Sequence, residues 1–575
     1  MKLNHLFEGN SKIHLLLLFV LCYITFFLFN ESFFVNIMEA RNFVTAREMI
    51  EKGNWLVPSM NGELRLAKPP FPTWITAMFG SYFGMTDLAM LRFPAGIMGC
   101  LLVLFMYQFS MDLTGKKSQA FTNSLILTSS FYVLYMSRTG TWDIYCHSFM
   151  LGAIWILFNA LQNYKCKRMG KFSFAGVLLG LSFLSKGPVA FFALLIPFFI
   201  AYYWIYKSKS LIQNWKPLLL CVLIFAIISF WWPVYISVAH ADSAAAVAKL
   251  ESGSWMNRHV RPFYYYWNFP IQTGIWTVLI FSALLFPIIK KNLRNKKEYL
   301  FALIWTLSSV VLLSLIPEKK DRYLLPVLIP SAILAGQLIQ HLYEVFSEKK
   351  NKTSDLWIFG INVWTLTIIA FALPMVVFHV FFNENQLSIT EFTLFTISSE
   401  LLFVLFLLTW INKNVRQFLI NSVLLMCIPI VFLIPNLKGF LNQNPDFKNL
   451  SEINNYTQYK ELNYYSIGKP GFRIELVYEA GKEVKEWDFE SNIYIPQEEP
   501  FVVFSTKPVT DLLSNDQLKS INFKTIDHFD YNRYHQGKKR NKPHFQKYAT
   551  LITPIKVLSE SDSIIKQSLL TQKSK

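Results

Sequence analysis

The sequence predicts an α-helical polytopic membrane protein of about thirteen spans, followed by a small α/β domain outside the bilayer. Three observations predict it. Only 16% of the 575 residues are charged and 53% are hydrophobic, against about 25% charged in ordinary soluble domains. The apolar residues, including 53 Phe, come in runs of about twenty, the length that crosses a bilayer as a helix. Beyond residue 436 the runs stop and short alternating polar and apolar stretches begin.

The runs fall at 13–34, 89–111, 118–136, 144–162, 172–185, 187–206, 217–238, 271–289, 299–316, 323–342, 356–381, 392–411 and 417–436. The first is too long for a secretory h-region and no small-residue cleavage site follows, so it reads as a span. The stretch 172–206 is too long for one crossing; Lys186-Gly187-Pro188 divides it. Alternate loops then carry Lys2 and Lys12; Lys116 and Lys117; Lys165, Lys167, Arg168 and Lys171; Lys207, Lys209 and Lys216; Lys290, Lys291, Arg294, Lys296 and Lys297; Lys349, Lys350 and Lys352; Lys413 and Arg416, 21 positive charges in seven loops. The positive-inside rule places that set, and the N-terminus, in the cytoplasm, and the C-terminal region outside. The division is 1–436, a membrane domain whose first outer loop is 35–88, and 437–575, an outer domain. In the latter, 463–467 and 501–504 read as strands and 473–487 as a helix. In the outer loop, Glu39–Lys52 and Pro72–Gly84 read as helices lying in the membrane interface.

Several function classes are excluded. The net charge of +18 is distributed by topology, and no zinc finger or aromatic-basic RNA motif accompanies it, so no nucleic-acid partner is expected. No P-loop is present, which argues against a nucleotide donor. Cys22, Cys100, Cys146, Cys166, Cys221 and Cys427 lie in or beside apolar segments without CxxC spacing and read as small core hydrophobes.

Charges that break the topological rule mark the candidate site. The outer loops should be poor in cations, yet they carry Arg41, Lys68, Arg138, Lys186, Arg258, Arg261, Lys319, Lys320 and Arg322, with Glu39 and Asp143 as carboxylates and Tyr323 beside them. Such a set suits transfer from a lipid-phosphate sugar. The leaving phosphate needs cations to hold it rather than a general acid. The acceptor hydroxyl needs a carboxylate base. Phe and Tyr supply a groove for a polyprenyl chain.

Taken in order, these segments resemble the GT-C glycosyltransferases of the protein O-mannosyltransferase and aminoarabinose-lipid A transferase type, family 39 and its relatives. The resemblance is carried by 38–58, with Glu39 and Arg41 and ending Gly53-Asn54-Trp55-Leu56-Val57-Pro58; by Asn61-Gly62 through Lys68-Pro69-Pro70 and Trp74; by Arg92-Phe93-Pro94; by Ser137 to Asp143; by Gly180 to Pro188; by Arg261-Pro262-Phe263-Tyr264-Tyr265-Tyr266; and by Lys320-Asp321-Arg322-Tyr323 to Pro326. It covers roughly 1–345, with the last spans and the C-terminal domain alike only in layout. The resemblance implies a GT-C fold in a bacterial inner membrane, with the C-terminal domain in the periplasm. It also implies an inverting transfer from a polyprenyl-phosphate donor to a lipid, glycan or protein acceptor. Glu39 takes the role of base with Asp143 in reserve, because the family's usual first acid is here Met38. Arg41, Lys68, Arg138 and Lys186 match motif positions that hold or position donor phosphate. The aminoarabinose branch often has a metal-binding Glu before Lys-Pro-Pro; here it is Ala67, so no residue is assigned to metal and a divalent metal is the one cofactor left open. The competing readings are a lipid-linked glycan flippase and a polymerase or ligase of cell-envelope assembly. The flippase would place charges at the bilayer midplane rather than at helix ends.

Overall fold

The computed structural model describes residues 6–162, 168–207, 210–285, 296–468, 471–488, 496 and 499–555. Lys2, Cys166, the loop cations Lys165, Lys167, Lys209, Lys290, Lys291 and Arg294, and the tail 556–575 lie outside the described residues. The chain divides into two compact units: one of Met1–Phe34, Thr45–Pro58 and Leu64–Phe440, the other of Val35–Val44, Ser59–Glu63 and Leu441–Lys575. This partition differs from the sequence division at three short stretches: 35–44 and 59–63, which group with the C-terminal residues, and 437–440, which group with the first unit.

In the first unit the described residues of the thirteen apolar runs are mostly helical. Nine helices among the described residues are long and apolar enough to cross a membrane by length and composition: Ser11–Ser32, Leu88–Thr114, Asp143–Gln162, Trp215–Ala239, Lys296–Leu315, Asp321–Ser347, Thr353–Phe382, Ile389–Asn412 and Val415–Phe432. The other four runs are shorter or broken: Lys117–Thr128 with Phe131–Ser137, Arg168–Lys186, Phe191–Tyr206, and Phe263–Trp276 continuing as Thr277–Leu284. Helices are required because lipid offers backbone groups no partners. Asp87 accepts from the Met90 amide at 3.0 Å and Ser388 forms a reciprocal box with Glu391, satisfying first-turn amides. The chain belongs to a multi-pass membrane protein.

The excess of phenylalanine has a location. Phe109 meets Phe158, Phe198, Phe301 and Trp305 at centroid separations of 5.3, 6.5, 6.3 and 5.6 Å, so rings from four helices interlock, mostly edge to face. The Trp305 indole donates to the Leu194 carbonyl at 3.0 Å. Close helix approach uses glycine: a Cβ at Gly176 would lie 2.6 Å from the Cys221 carbonyl oxygen, so helices Arg168–Lys186 and Trp215–Ala239 touch backbone to backbone. The break expected at Lys186 is present. Helix Arg168–Lys186 stops there, Gly187 adopts a φ of +80°, and helix resumes at Phe191; an L side chain disfavours that conformation.

The second unit is built on a five-stranded mixed sheet. Numbering from the short hairpin β1 (Ser59–Met60) and β2 (Glu63–Leu64), its strands are β3 (Asn463–Ser466), β4 (Val484–Glu486), β5 (Phe501–Ser505), β6 (Ile521–Asp530) and β7 (Gln546–Pro554). The order is β4-β3-β5-β7-β6, with β4, β3 and β5 parallel and the β7 pairs antiparallel. The predicted strands at 463–467 and 501–504 are β3 and β5. The predicted helix 473–487 is corrected: it is Ile474–Ala480 followed by β4. Gly481, in the left-handed region, ends the helix, and the chain crosses back as a parallel strand. Both faces of the sheet are covered. Leu476, Val477 and Ala480 pack with Tyr464, Val502, Phe504 and Val44 on one side, and Trp487 packs with Tyr465, Phe501, Val503 and Ile552 on the other. That is why β5 is buried at every position and apolar at its first four, as strands buried on two faces are. Asn61 caps the edge strand, exchanging two hydrogen bonds with the Val484 backbone at 2.8 and 2.9 Å.

Candidate active site

Three helix ends in the first unit bring the rule-breaking charges together. Asp143 opens helix Asp143–Gln162 and Lys186 closes helix Arg168–Lys186, each at the helix end whose dipole favours its charge. They form a buried ion pair. The third end is Asp321–Leu324, leading into helix Leu325–Ser347. It carries Arg322, within electrostatic reach of Asp143, and Tyr323. The Tyr323 ring has the Lys186 ammonium 5.1 Å, the Lys320 ammonium 5.8 Å and the Arg322 guanidinium 5.7 Å from its centroid. Three cations on one aromatic ring make a cation–π hub. Its hydroxyl donates to Glu318, at 3.4 Å, and Glu318 pairs with Lys320.

A short backbone pairing adds a fourth segment. Val260 and Glu318 form an antiparallel bridge, Lys319 N–H donates to the His259 carbonyl at 3.1 Å and Arg261 N–H to the Pro317 carbonyl at 3.3 Å. This places exposed Arg258 and Arg261 alongside 318–320. Tyr266 receives the Lys320 amide at 2.8 Å and Tyr265 donates to Asp321 at 2.6 Å. Burial holds Lys320 below the usual lysine range, against the pull of Glu318 and helped by Arg322 and Arg258. Burial also lowers Lys319, whose ammonium donates to the Ile316 carbonyl at 2.6 Å. Lys186, Lys320, Arg322, Tyr323, Asp143, Arg258 and Arg261 therefore share one neighbourhood.

Lys68 has a different setting. It pairs with Glu251 at 2.9 Å, both half-exposed. The pair borders a cavity of about 920 Å³ lined by Ala67, Val247, Lys249, Glu251, Asn257 and Arg258. Ala67 offers no donor atom, and no group of three or more His, Cys, Asp or Glu side chains among the described residues converges as a ligand set. The residues present do not fit a divalent metal, and no step below passes through one.

Arg138 is turned away from such work. It is fully buried and donates to the carbonyls of Thr25, at 2.8 Å, Leu28, and Phe29, at 3.2 Å, while its plane lies 5.4 Å from the Phe33 centroid. Arg92, from the neighbouring motif, does the same to Asn30 and Phe33 at 2.7 and 3.2 Å. The two arginines clamp the frayed end of the first span.

Glu39 and Arg41 belong to the second unit. Glu39 is completely buried near the start of helix Ile37–Lys52. Its carboxylate accepts from the Asn36 backbone and side-chain amides at 3.2 and 2.8 Å, while Asn36 accepts from the Met38 and Glu39 amides. It is a cap glutamate shielded from solvent. Arg41 follows it, half-buried.

Sequence reasoning did not select Glu318, Glu251, Tyr265 or Tyr132 as site residues. Glu251 sits in helix Ala241–Asn257, a stretch with no span character and no motif; a carboxylate in an outer loop was the available signal. Glu318 was visible inside its motif but reads as a solvated loop acid until the bridge to Val260 buries it.

Residues 67–232 match the family described as dolichyl-phosphate-mannose-protein mannosyltransferase. A protein of Aquifex aeolicus of uncharacterised role is 24% identical over 343 residues, covering 59% of this chain and 63% of that one. The undecaprenyl phosphate-alpha-4-amino-4-deoxy-L-arabinose arabinosyl transferase 2 of Proteus mirabilis is 28% identical over 370 residues, 63% of this chain and 64% of that one. The chain thus spans under two thirds of the length of these relatives. The crystal structure of ArnT from Cupriavidus metallidurans bound to undecaprenyl phosphate superimposes with a TM-score of 0.66 at 16% identity, covering 94% of this chain and 97% of that one. These likenesses bear out the resemblance read from the motifs, and the last shows the fold.

Proposed function

We propose that this chain is an inverting glycosyltransferase that moves a sugar from a polyprenyl-phosphate donor to a lipid, glycan or protein acceptor at the outer face of a bacterial inner membrane. The observation that carries the reading is the gathering of Lys186, Lys320 and Arg322 around Tyr323, at the ends of helices rather than at their middles. A fixed set of cations at a helix-end surface suits a lipid phosphate whose tail stays in the bilayer. The relatives named for undecaprenyl-phosphate sugars and the ArnT bound to undecaprenyl phosphate support the same donor class.

The roles follow from the environments. Glu39, the carboxylate that the motif resemblance assigns as base, takes the proton of the acceptor hydroxyl. The acceptor oxygen attacks the anomeric carbon from the face opposite the phosphate. The bond between that carbon and the phosphate oxygen breaks, and both of its electrons leave with polyprenyl phosphate. Lys186, Lys320, Arg322, Arg258 and Arg261 hold the anion that departs. Asp143 already matches Lys186 and is a poor base; it positions that ammonium. Lys68 completes the donor contacts and Arg138 acts by holding the first span, while Arg41 keeps the donor role that the motif resemblance implies. The N-terminus lies in the cytoplasm and residues 441–555 in the periplasm, as the 21 cytoplasmic loop cations support.

The test incubates purified protein with a panel of polyprenyl-phosphate sugars and a membrane extract, following free polyprenyl phosphate. Wild type should release it and Glu39→Gln should fall by about 10²–10⁴-fold while still binding donor. Activity equal to wild type in Glu39→Gln would remove the base assignment and move it to Asp143. Absence of release from every donor, with movement of lipid-linked sugar across liposomes, would replace the transferase by a flippase. Chelator should leave the rate unchanged.

A further inference from the structure

A second cationic centre lies in the sheet unit, on residues the transfer reaction does not use. Lys547, at the start of β7, is 2% exposed, yet among the described residues it has no ion-pair partner. Its ammonium lies 5.2 Å from the centroid of Phe472. Buried lysines are rare without a counter-charge, because the ammonium loses hydration and regains nothing. Three more basic groups share its surroundings. Arg473 stands over Phe545 at 4.9 Å, Lys542 precedes the turn into β7, and the His544 ring lies tilted against that of Phe545 at 4.6 Å. The His544 ring feels Arg473, Lys547 and Lys542, and the opposite pull of Glu475. Glu475 is occupied by Arg473, at 2.7 and 3.3 Å. The His544 Nε2 atom is buried with no hydrogen-bond partner.

The surroundings are braced. Asn532 exchanges hydrogen bonds with the Lys542 backbone, at 2.7 and 3.1 Å, and Asn541 donates to the Tyr534 carbonyl at 2.8 Å. Exposed Lys538, Lys539 and Arg540 sit on the same loop and extend the positive field. Burial pushes Lys547 down to about 8, so its charge at neutral pH is retained but poorly compensated.

We propose that Lys547, His544, Arg473 and Lys542 bind a phosphate monoester. A dianionic oxyanion supplies the missing counter-charge for Lys547 and an acceptor for His544 Nε2–H. The fork of Arg473 offers it further donors. This site stands apart from the donor reading, since every residue in it belongs to the second unit.

The experiment is titration calorimetry on the full chain in detergent, with inorganic phosphate as probe at neutral pH and constant ionic strength. Wild type is compared with Lys547→Met and Arg473→Gln, and with Lys186→Met as a control for the other cation cluster. One class of phosphate sites should disappear in Lys547→Met and weaken about tenfold in Arg473→Gln, roughly the loss of one charge-assisted contact, while Lys186→Met keeps it. Arg473 is half-exposed, so that variant carries the test if Lys547→Met fails to fold. Phosphatidic acid in mixed micelles is the second arm. Displacement of the phosphate heat by it identifies a lipid-borne monoester, and the absence of displacement identifies a soluble one. Phosphate heats equal in wild type, Lys547→Met and Arg473→Gln would overturn the proposal.

Discussion

Two clusters of buried cation in the membrane unit use the same residue types for opposite ends. At the frayed end of the first span, Arg92 and Arg138 give their donors to six main-chain carbonyls, those of Asn30, Phe33, Phe34, Thr25, Leu28 and Phe29. Around Tyr323, Lys186, Lys320 and Arg322 meet carboxylates and a ring face. The first arrangement directs the terminal guanidinium donors of Arg138 and those of Arg92 at main-chain carbonyls and holds structure. The second keeps charges matched by a ring face and by carboxylates that an incoming anion can compete with. Arginine and lysine at an outer helix end are therefore not one signal, and the difference lies in what their hydrogens touch.

Breaking the second cluster should cost activity most. Lys186→Met removes a cation from the proposed phosphate site and should lower kcat/KM by about 10²–10³-fold. It also strands Asp143, and an orphaned buried charge destabilises by about 3–5 kcal/mol. The double variant Asp143→Asn with Lys186→Met should therefore recover thermal stability but not activity. Recovery of both would mean that the pair is structural, like the arginine clamp.

The clamp gives the reverse signature. Arg138→Met leaves three carbonyls without their charged donor and should cost about 3 kcal/mol or more, read as a lower unfolding temperature in detergent. Donor KM of the folded fraction should be unchanged. A raised KM at unchanged stability would restore Arg138 to the phosphate contacts where its motif placed it.

What the sequence made legible, and what it did not, follows the same line. The thirteen runs, the break at Gly187 and the strands β3 and β5 were readable because hydropathy, turn chemistry and alternation are local properties. The gathering of Asp143, Lys186 and Tyr323 was readable only as a set of exceptions to loop charge. The partners were not. Arg138 carries the same motif position whether it grips a phosphate or the Leu28 carbonyl. Glu318 is buried by a bridge to Val260, 58 residues earlier. The helix predicted over 473–487 failed because Gly481 is a single residue, and a parallel strand after it depends on β3 across the sheet.

A third buried cation sharpens the contrast, since among the described residues Lys547 meets neither carbonyls nor carboxylates. Its fall from 10.5 to about 8 corresponds to about 3 kcal/mol against the folded state. The folded pKa is depressed, so the unfolded chain binds more protons between pH 8 and 10.5, and the penalty is full below that window and fades as pH rises through it. Lys547→Met should therefore raise stability by up to about 3 kcal/mol at pH 7, with the gain shrinking toward pH 10. Unfolding in denaturant across that range measures it, and a gain independent of pH would assign the effect to packing alone.

The smallest expected effect separates ring from hydroxyl at the hub. The Tyr323 hydroxyl reaches Glu318 at 3.4 Å, too long for a strong hydrogen bond, whereas its ring faces three cations. Each such contact is worth roughly 0.5–2 kcal/mol, and phenylalanine provides it nearly as well as tyrosine. Tyr323→Phe should therefore change kcat/KM by no more than about threefold, well under the cost of losing a ring that organises several cations. Tyr323→Leu keeps an apolar side chain, a smaller one, and discards the quadrupole, and it should fall about tenfold or more, mainly in kcat, because Lys186 and Lys320 lose their common seat. If the phenylalanine variant falls as far as the leucine one, the hydroxyl is what matters. Glu318 is then held by Tyr323 for the sake of Lys320, and the hub is a hydrogen-bond relay rather than an aromatic platform.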